Sequence, residues 1–130
     1  MLTRILLLIL CTGSVATAAD TYPIVMRAGA DYNLKMVFTD SAGHPTNLTG
    51  TTFAAQFKSV PGPTGMLFAT YSTAVTNPTG GEVHLTLSHG WTRALVNKTG
   101  YWDLQQTDAA GKIKYRVSGP ASVLPTVTNP

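Results

Sequence analysis

The sequence predicts an all-β domain: an antiparallel two-sheet β-sandwich of about seven to eight short strands, with one short helical turn near 88–96. Three observations carry this. Apolar and polar residues alternate with period two through 31–38, 52–58, 82–87 and 100–105, the pattern of half-buried strands. Turn-forming clusters of Gly, Pro, Asn and Asp separate those runs, at the spacing of a sandwich. No stretch beyond the first eighteen residues has the periodicity of a long amphipathic helix. A small barrel, open or closed, fits the same pattern almost as well.

The first eighteen residues read as a signal peptide. Arg4 supplies a short basic start, Ile5 to Cys11 an apolar run, and Ala16-Thr17-Ala18 a small-residue cleavage site. The run is shorter than the ~20 residues that span a bilayer. A misassigned extension, with the protein beginning near Met26, is the alternative. Residues 19–130 then form a single domain, large enough for one core without staples. The only cysteine, Cys11, lies in the leader, so the domain has neither a disulfide nor a cysteine-based metal site.

Tyr22 to Met26 reads as a first strand, and Pro23 favours an edge. From Asp31, Leu34, Met36 and Phe38 share the inward face. Thr39-Asp40-Ser41-Ala42-Gly43 is a tight turn: Asp bonds the backbone two residues on, and Gly accepts a positive φ. The same pattern recurs as Thr107-Asp108-Ala109-Ala110-Gly111. Leu48 plugs the core from a loop, and Phe53, Ala55 and Phe57 point inward. Ser59 to Gly65 is a loop, and Phe68 returns to the core. Asn77 to Gly81 turns the chain into Val83, Leu85 and Leu87. Ser88 is expected to cap the helical turn, with Trp91, Leu95 and Ala94 packing inward. Trp102 and Leu104 face in; Tyr101, Asp103 and Gln105 face out. Ile113, Tyr115 and Val117 read as the inward set of the next strand, with Lys112, Lys114 and Arg116 toward solvent. Gly119-Pro120 is expected to punctuate it, before an edge strand within 121–127.

Charge is low, with nine Lys or Arg, six Asp or Glu and a net of +3. The basic residues are not interleaved with a stacking set of aromatics, which argues against nucleic acid. His44, His84 and His89 lack the spacing of a zinc site. Asp40 and Asp108 are explained by their turns, and no carboxylate pair suggests glycoside hydrolysis. Gly80-Gly81 precedes a strand and not a helix, so no phosphate loop is present. No catalytic set, metal ion or cofactor is expected. Asn47-Leu48-Thr49 and Asn97-Lys98-Thr99 match the glycosylation acceptor pattern. Tyr71 and Tyr101 are the candidate binding residues, as an outward aromatic platform for a sugar or a partner protein.

The order of these signals is itself a pattern. Gly29-x-Asp31 leads into a strand, followed by Asp40-x-x-Gly43-x-Pro45-x-Asn47-Leu48-Thr49-Gly50. Later come Gly81-x-Val83-x-Leu85-x-Leu87-Ser88, Trp91-Thr92-x-x-Leu95, Gly100-Tyr101-Trp102-Asp103-Leu104 and Asp108-x-x-Gly111-Lys112. Across 29–127 this resembles the small immunoglobulin-like β-sandwich domains of tailed-phage and prophage virion proteins, such as the N-terminal domain of the baseplate upper protein family. The resemblance implies a non-enzymatic structural subunit of a tail, baseplate, neck or capsid surface. Its implied partners are other virion proteins, in repeated symmetric copies, with no nucleic acid and no membrane in the mature form. A virion part assembles in the host cytoplasm, where a cleaved leader is out of place. If the leader is cleaved, the competing expectation is a periplasmic or secreted binding module for carbohydrate or a surface protein.

Overall fold

The computed structural model describes residues 3–7, 13–16 and 20–128, with side chains from residue 21 onward. Its elements are β1 (Thr3–Leu7), β2 (Gly13–Ala16), β3 (Asp20–Thr21), β4 (Ile24–Arg27), β5 (Tyr32–Asp40), β6 (Thr52–Lys58), β7 (Leu67–Asn77), β8 (Glu82–Leu87), α1 (His89–Ala94), β9 (Thr99–Thr107) and β10 (Ile113–Leu124). One sheet runs β5-β8-β7 and the other β7-β6-β9-β10, with β3 and β4 both parallel to β10. β7 belongs to both sheets. Ala69 and Tyr71 lie in its pairing with β6, whereas Ser72 to Asn77 pair with β8. A strand that switches sheets makes the corner of such a sandwich. The orders β5-β8-β7 and β6-β9-β10 are those of strands B-E-D and C-F-G in an immunoglobulin-like domain.

Thr3–Leu7 and Gly13–Ala16 form β1 and β2 as an antiparallel pair, and β1 adds to the outer edge of β5 from Thr3↔Asp40 to Leu7↔Met36. Thr17, Ala18, Ala19 and Cys11 lie outside the described residues. Among the described residues, no helix is long and apolar enough to cross a membrane.

The alternating runs bury the faces they were expected to bury. Leu34, Met36, Phe38, Phe57, Val83, Leu85 and Leu104 are all sealed between the sheets, and Leu48 plugs the core from its loop. Phe38 stacks on Phe53 with centroids 5.6 Å apart. Phe57 meets Phe68 edge-on at 5.0 Å.

The two Thr-Asp-x-Ala-Gly turns are built alike. Asp40 Oδ1 accepts from the N–H groups of Ala42 (2.9 Å) and His44 (3.0 Å). Asp108 Oδ1 accepts from those of Ala110 (2.9 Å) and Lys112 (2.9 Å). Gly43 and Gly111 sit at φ of 87° and 84°, the left-handed region that favours glycine. Asp40→Ala and Asp108→Ala should each lower stability by about 1–2 kcal/mol, since each removes two local hydrogen bonds. Melting of the two single variants checks this, and an unchanged midpoint in both would refute the shared turn role.

Four expectations change. In α1, Trp91 and Ala94 point outward while Thr92 is buried, along with Leu95 just beyond the helix. Ser88 occupies the N-cap without a side-chain hydrogen bond; Asp31, just before β5, takes the His89 N–H at 2.7 Å instead. Gly119-Pro120 does not end a strand, because β10 runs unbroken from Ile113 to Leu124. Finally, the β9–β10 register slips between Tyr115 and Val117. That bulge turns Ile113 and Tyr115 out to solvent and Arg116 in. Arg116 donates to Gln106 Oε1 at 2.9 Å and lies over the Phe38 ring, 4.9 Å from its centroid.

β10 continues through Pro120 for a definable reason. Ser118 pairs with Thr21 and Ala121 with Ile24 in the parallel ladder. The interruption between β3 and β4, at Tyr22-Pro23, therefore falls opposite Gly119-Pro120. The Tyr22 N–H bonds Ser118 O at 2.9 Å. The Tyr22 carbonyl would next meet the N–H of residue 120, which proline lacks. Trp102 supplies the missing donor: its indole Nε1 reaches Tyr22 O at 2.8 Å. Gly119, paired with Trp102, lies so close to the Tyr22 backbone that a Cβ there would stand 2.4 Å from Tyr22 O.

Candidate binding face

The outward face of the β6-β9-β10 sheet is organised in cross-strand rows. The pairings Ala54↔Gln105↔Tyr115, Gln56↔Asp103↔Ser118 and Lys58↔Tyr101↔Pro120 place three residues side by side in each row. Alternation along β6 and β9 sends these side chains away from the core, since Ala55, Phe57, Trp102 and Leu104 take the other face. The β6–β7 loop curls over the same face. Ser59 pins its base through Ser59 N–H to Met66 O (2.9 Å) and Met66 N–H to Ser59 Oγ (2.9 Å). Lys58 Nζ donates to Gly62 O at 3.3 Å.

Loop and sheet enclose a groove of about 740 Å³, with Gln56, Asp103 and Gln105 among its lining and Val60, Tyr101 and Tyr115 also bordering it. A shallower depression of about 580 Å³ continues past Tyr101 and Val60 toward Val25 and Pro120. Tyr101 is 46% exposed and Tyr115 54%. Gln105 Nε2 donates to the Tyr115 hydroxyl at 3.0 Å, which holds that ring beside the groove. Burial pushes the Asp103 carboxyl above its ordinary range, against the opposing pull of the Lys58 ammonium.

Of the two tyrosines named from sequence, only Tyr101 reaches this surface. Tyr71 is 2% exposed: its ring packs edge-on to Trp102 at 6.4 Å, and its hydroxyl faces Met26 Sδ at 3.8 Å. It belongs to the core because it lies where β7 still pairs with β6, with its side chain toward the opposing sheet. Tyr115 takes its place on the surface. Strict alternation puts Tyr115 inside; only the bulge reverses it.

The remaining polar candidates are separate. His44 lies 3.8 Å from Asp40, His84 3.2 Å from Glu82, and His89 3.0 Å from Asp31. Hydrogen bonds from the His89 backbone and ring hold the Asp31 carboxyl below its ordinary range. Lys35 and His84 do the same for Glu82. Among the described residues, no group of three or more His, Cys, Asp or Glu is placed to hold a metal ion.

No known protein family and no curated protein matches the sequence. Among solved structures, the chain is similar to one in the crystal structure of the titin M10–obscurin-like 1 Ig complex, at 16% identity and a TM-score of 0.46 over 97% of this chain and 99% of that one.

Proposed function

We propose that this chain is a non-enzymatic structural component of a tailed-phage or prophage virion, at the tail, baseplate, neck or capsid surface, acting by protein–protein assembly. What supports the reading is the work done by the residues that carry the sequence resemblance. Asp31 takes the first N–H of α1, Asp40 and Asp108 close their turns, Leu48 fills the core and Trp102 completes a broken ladder. Each holds the sandwich together, which is the expected use of shared positions in a subunit that acts through its surface.

Contacts with other virion proteins would be made by what is left outside. One end of the sandwich gathers the β4–β5 turn, α1 and the end of β10, tied by Gly29 N–H to Thr92 Oγ1, Ala28 N–H to Leu124 O and Asn97 N–H to Val123 O. There Trp91 is 53% exposed, and Val96 and Leu124 are also exposed. A large exposed aromatic is the common anchor of a protein interface, and symmetric repetition multiplies a weak contact. In this reading the protein is assembled in the host cytoplasm, and residues 1–18 are retained or misassigned. Cleavage of the leader goes instead with a periplasmic or secreted protein.

Mass spectrometry of purified particles is the direct check. The protein should be present in multiple copies per particle, and Trp91→Asp should reduce its incorporation about tenfold or more while leaving the monomer folded. Intact particles that lack the protein would rule the proposal out.

A further inference from the structure

We propose that the groove over β6, β9 and β10 binds a neutral oligosaccharide, with the Tyr101 ring against a sugar face and Asp103 and Gln56 taking its hydroxyls. This site does not depend on the virion reading: it serves a particle that meets a glycan-coated surface and an exported module equally.

The argument starts with Asp103. The residue is half-buried and lines the groove. Among the described residues no hydrogen bond or ion pair engages it, and Lys58 acts on it only at longer range. Gln56 lies directly opposite in the β6–β9 register, and its carboxamide is likewise without a hydrogen bond. A partly desolvated carboxylate beside a free carboxamide offers acceptors and a donor pair within one cross-strand spacing. Neighbouring hydroxyls of a sugar ring, each both donor and acceptor, match that set.

Charge selects against other ligands. The groove holds one carboxylate, Asp103, and one ammonium, Lys58, so its formal charges cancel. Nucleotides and polyphosphates call for a positive surface, and an acidic or basic peptide finds no opposite field here. An apolar protein face laid across the groove would bury the Asp103 carboxylate with its acceptors unfilled, which is costly. Tyr101 and Tyr115 supply flat apolar faces beside these polar groups, and the volume lies in the range of small-ligand clefts. Val60 on the overhanging loop and Tyr101 border both the groove and the shallower depression beside it.

The test is an array of neutral hexose and N-acetylhexosamine oligomers probed with the full chain, followed by titration calorimetry on any oligomer that binds. At least one neutral oligomer should bind. Tyr101→Ala and Asp103→Asn should each weaken it by about tenfold or more, while Thr76→Ala, exposed on the other sheet, stays within about twofold. Asp103→Asn preserves shape, so it remains informative if Tyr101→Ala fails to fold. Silence across the neutral array, a preference for sulfated or sialylated oligomers, or binding that survives Asp103→Asn would each overturn the proposal. So would a protein partner whose cross-links map to Tyr101 and Tyr115.

Discussion

Trp102→Ala should lower stability by about 3–5 kcal/mol, the range for removing a large buried aromatic, and should be the most damaging single truncation in β9. Two losses combine. The indole is 2% exposed and packs on Tyr71, and its Nε1 is the donor that satisfies Tyr22 O. Trp102→Phe separates them: much of the volume stays, the donor goes, and about 1–3 kcal/mol should be lost from the unsatisfied carbonyl together with the small cavity. The assignment of that donor to the gap left by Pro120 gives a sharper check. Pro120→Ala restores an N–H opposite Tyr22 O, so it should recover part of the Trp102→Phe loss while changing the parent chain less. Chemical denaturation of the four proteins yields the coupling. Strictly additive effects would show that the indole and residue 120 do not serve the same carbonyl.

Thr92→Val is expected to cost about 1–3 kcal/mol despite near-identical shape. Thr92 is fully buried. Its hydroxyl accepts from Gly29 N–H at 3.1 Å and donates toward Ala30 O at 2.9 Å, with His89 O at 3.1 Å. Valine leaves the Gly29 N–H and the Ala30 carbonyl without this partner, the asymmetric and expensive way to lose a hydrogen bond. Thr92→Ser keeps the hydroxyl and gives up one methyl group, about 0.8 kcal/mol by area. Serine should therefore be the milder change. If valine proves the more stable of the two in thermal melts, the hydroxyl does not hold the β4–β5 turn onto α1. Because that turn and α1 frame the end carrying Trp91, the valine variant should also loosen this surface, seen as faster amide exchange at Gly29.

The sandwich was legible wherever one rule governed a segment. Leu34, Met36 and Phe38 declare their face through period two alone, and the Asp-Gly turns declare themselves through local hydrogen bonding. The helical turn was placed correctly at 88–96, but its inward face was not. Trp91 is the larger apolar side chain, yet Thr92 is the one buried, since the turn at Gly29 and Ala30 needs a hydroxyl more than the core needs an indole. The same limit applies at the surface. Tyr101, Asp103 and Gln105 follow from alternation along β9, but Tyr115 and Arg116 do not follow from β10. A bulge adds one residue to one strand, and nothing in the local composition of Lys114-Tyr115-Arg116-Val117 marks it.

The sequence by itself determined the class of fold, the inward faces of β5, β6, β8 and β9, and the two matching turns, because these depend on residues within a few positions of one another. The tertiary structure alone decided which tyrosine reaches solvent, that Arg116 enters the core, and that Trp102 completes the ladder beside Pro120. Those outcomes depend on which groups lie opposite across strands, from Arg116 and Gln106, 10 residues apart, to Trp102 and Tyr22, 80 apart, pairings that no local pattern reports.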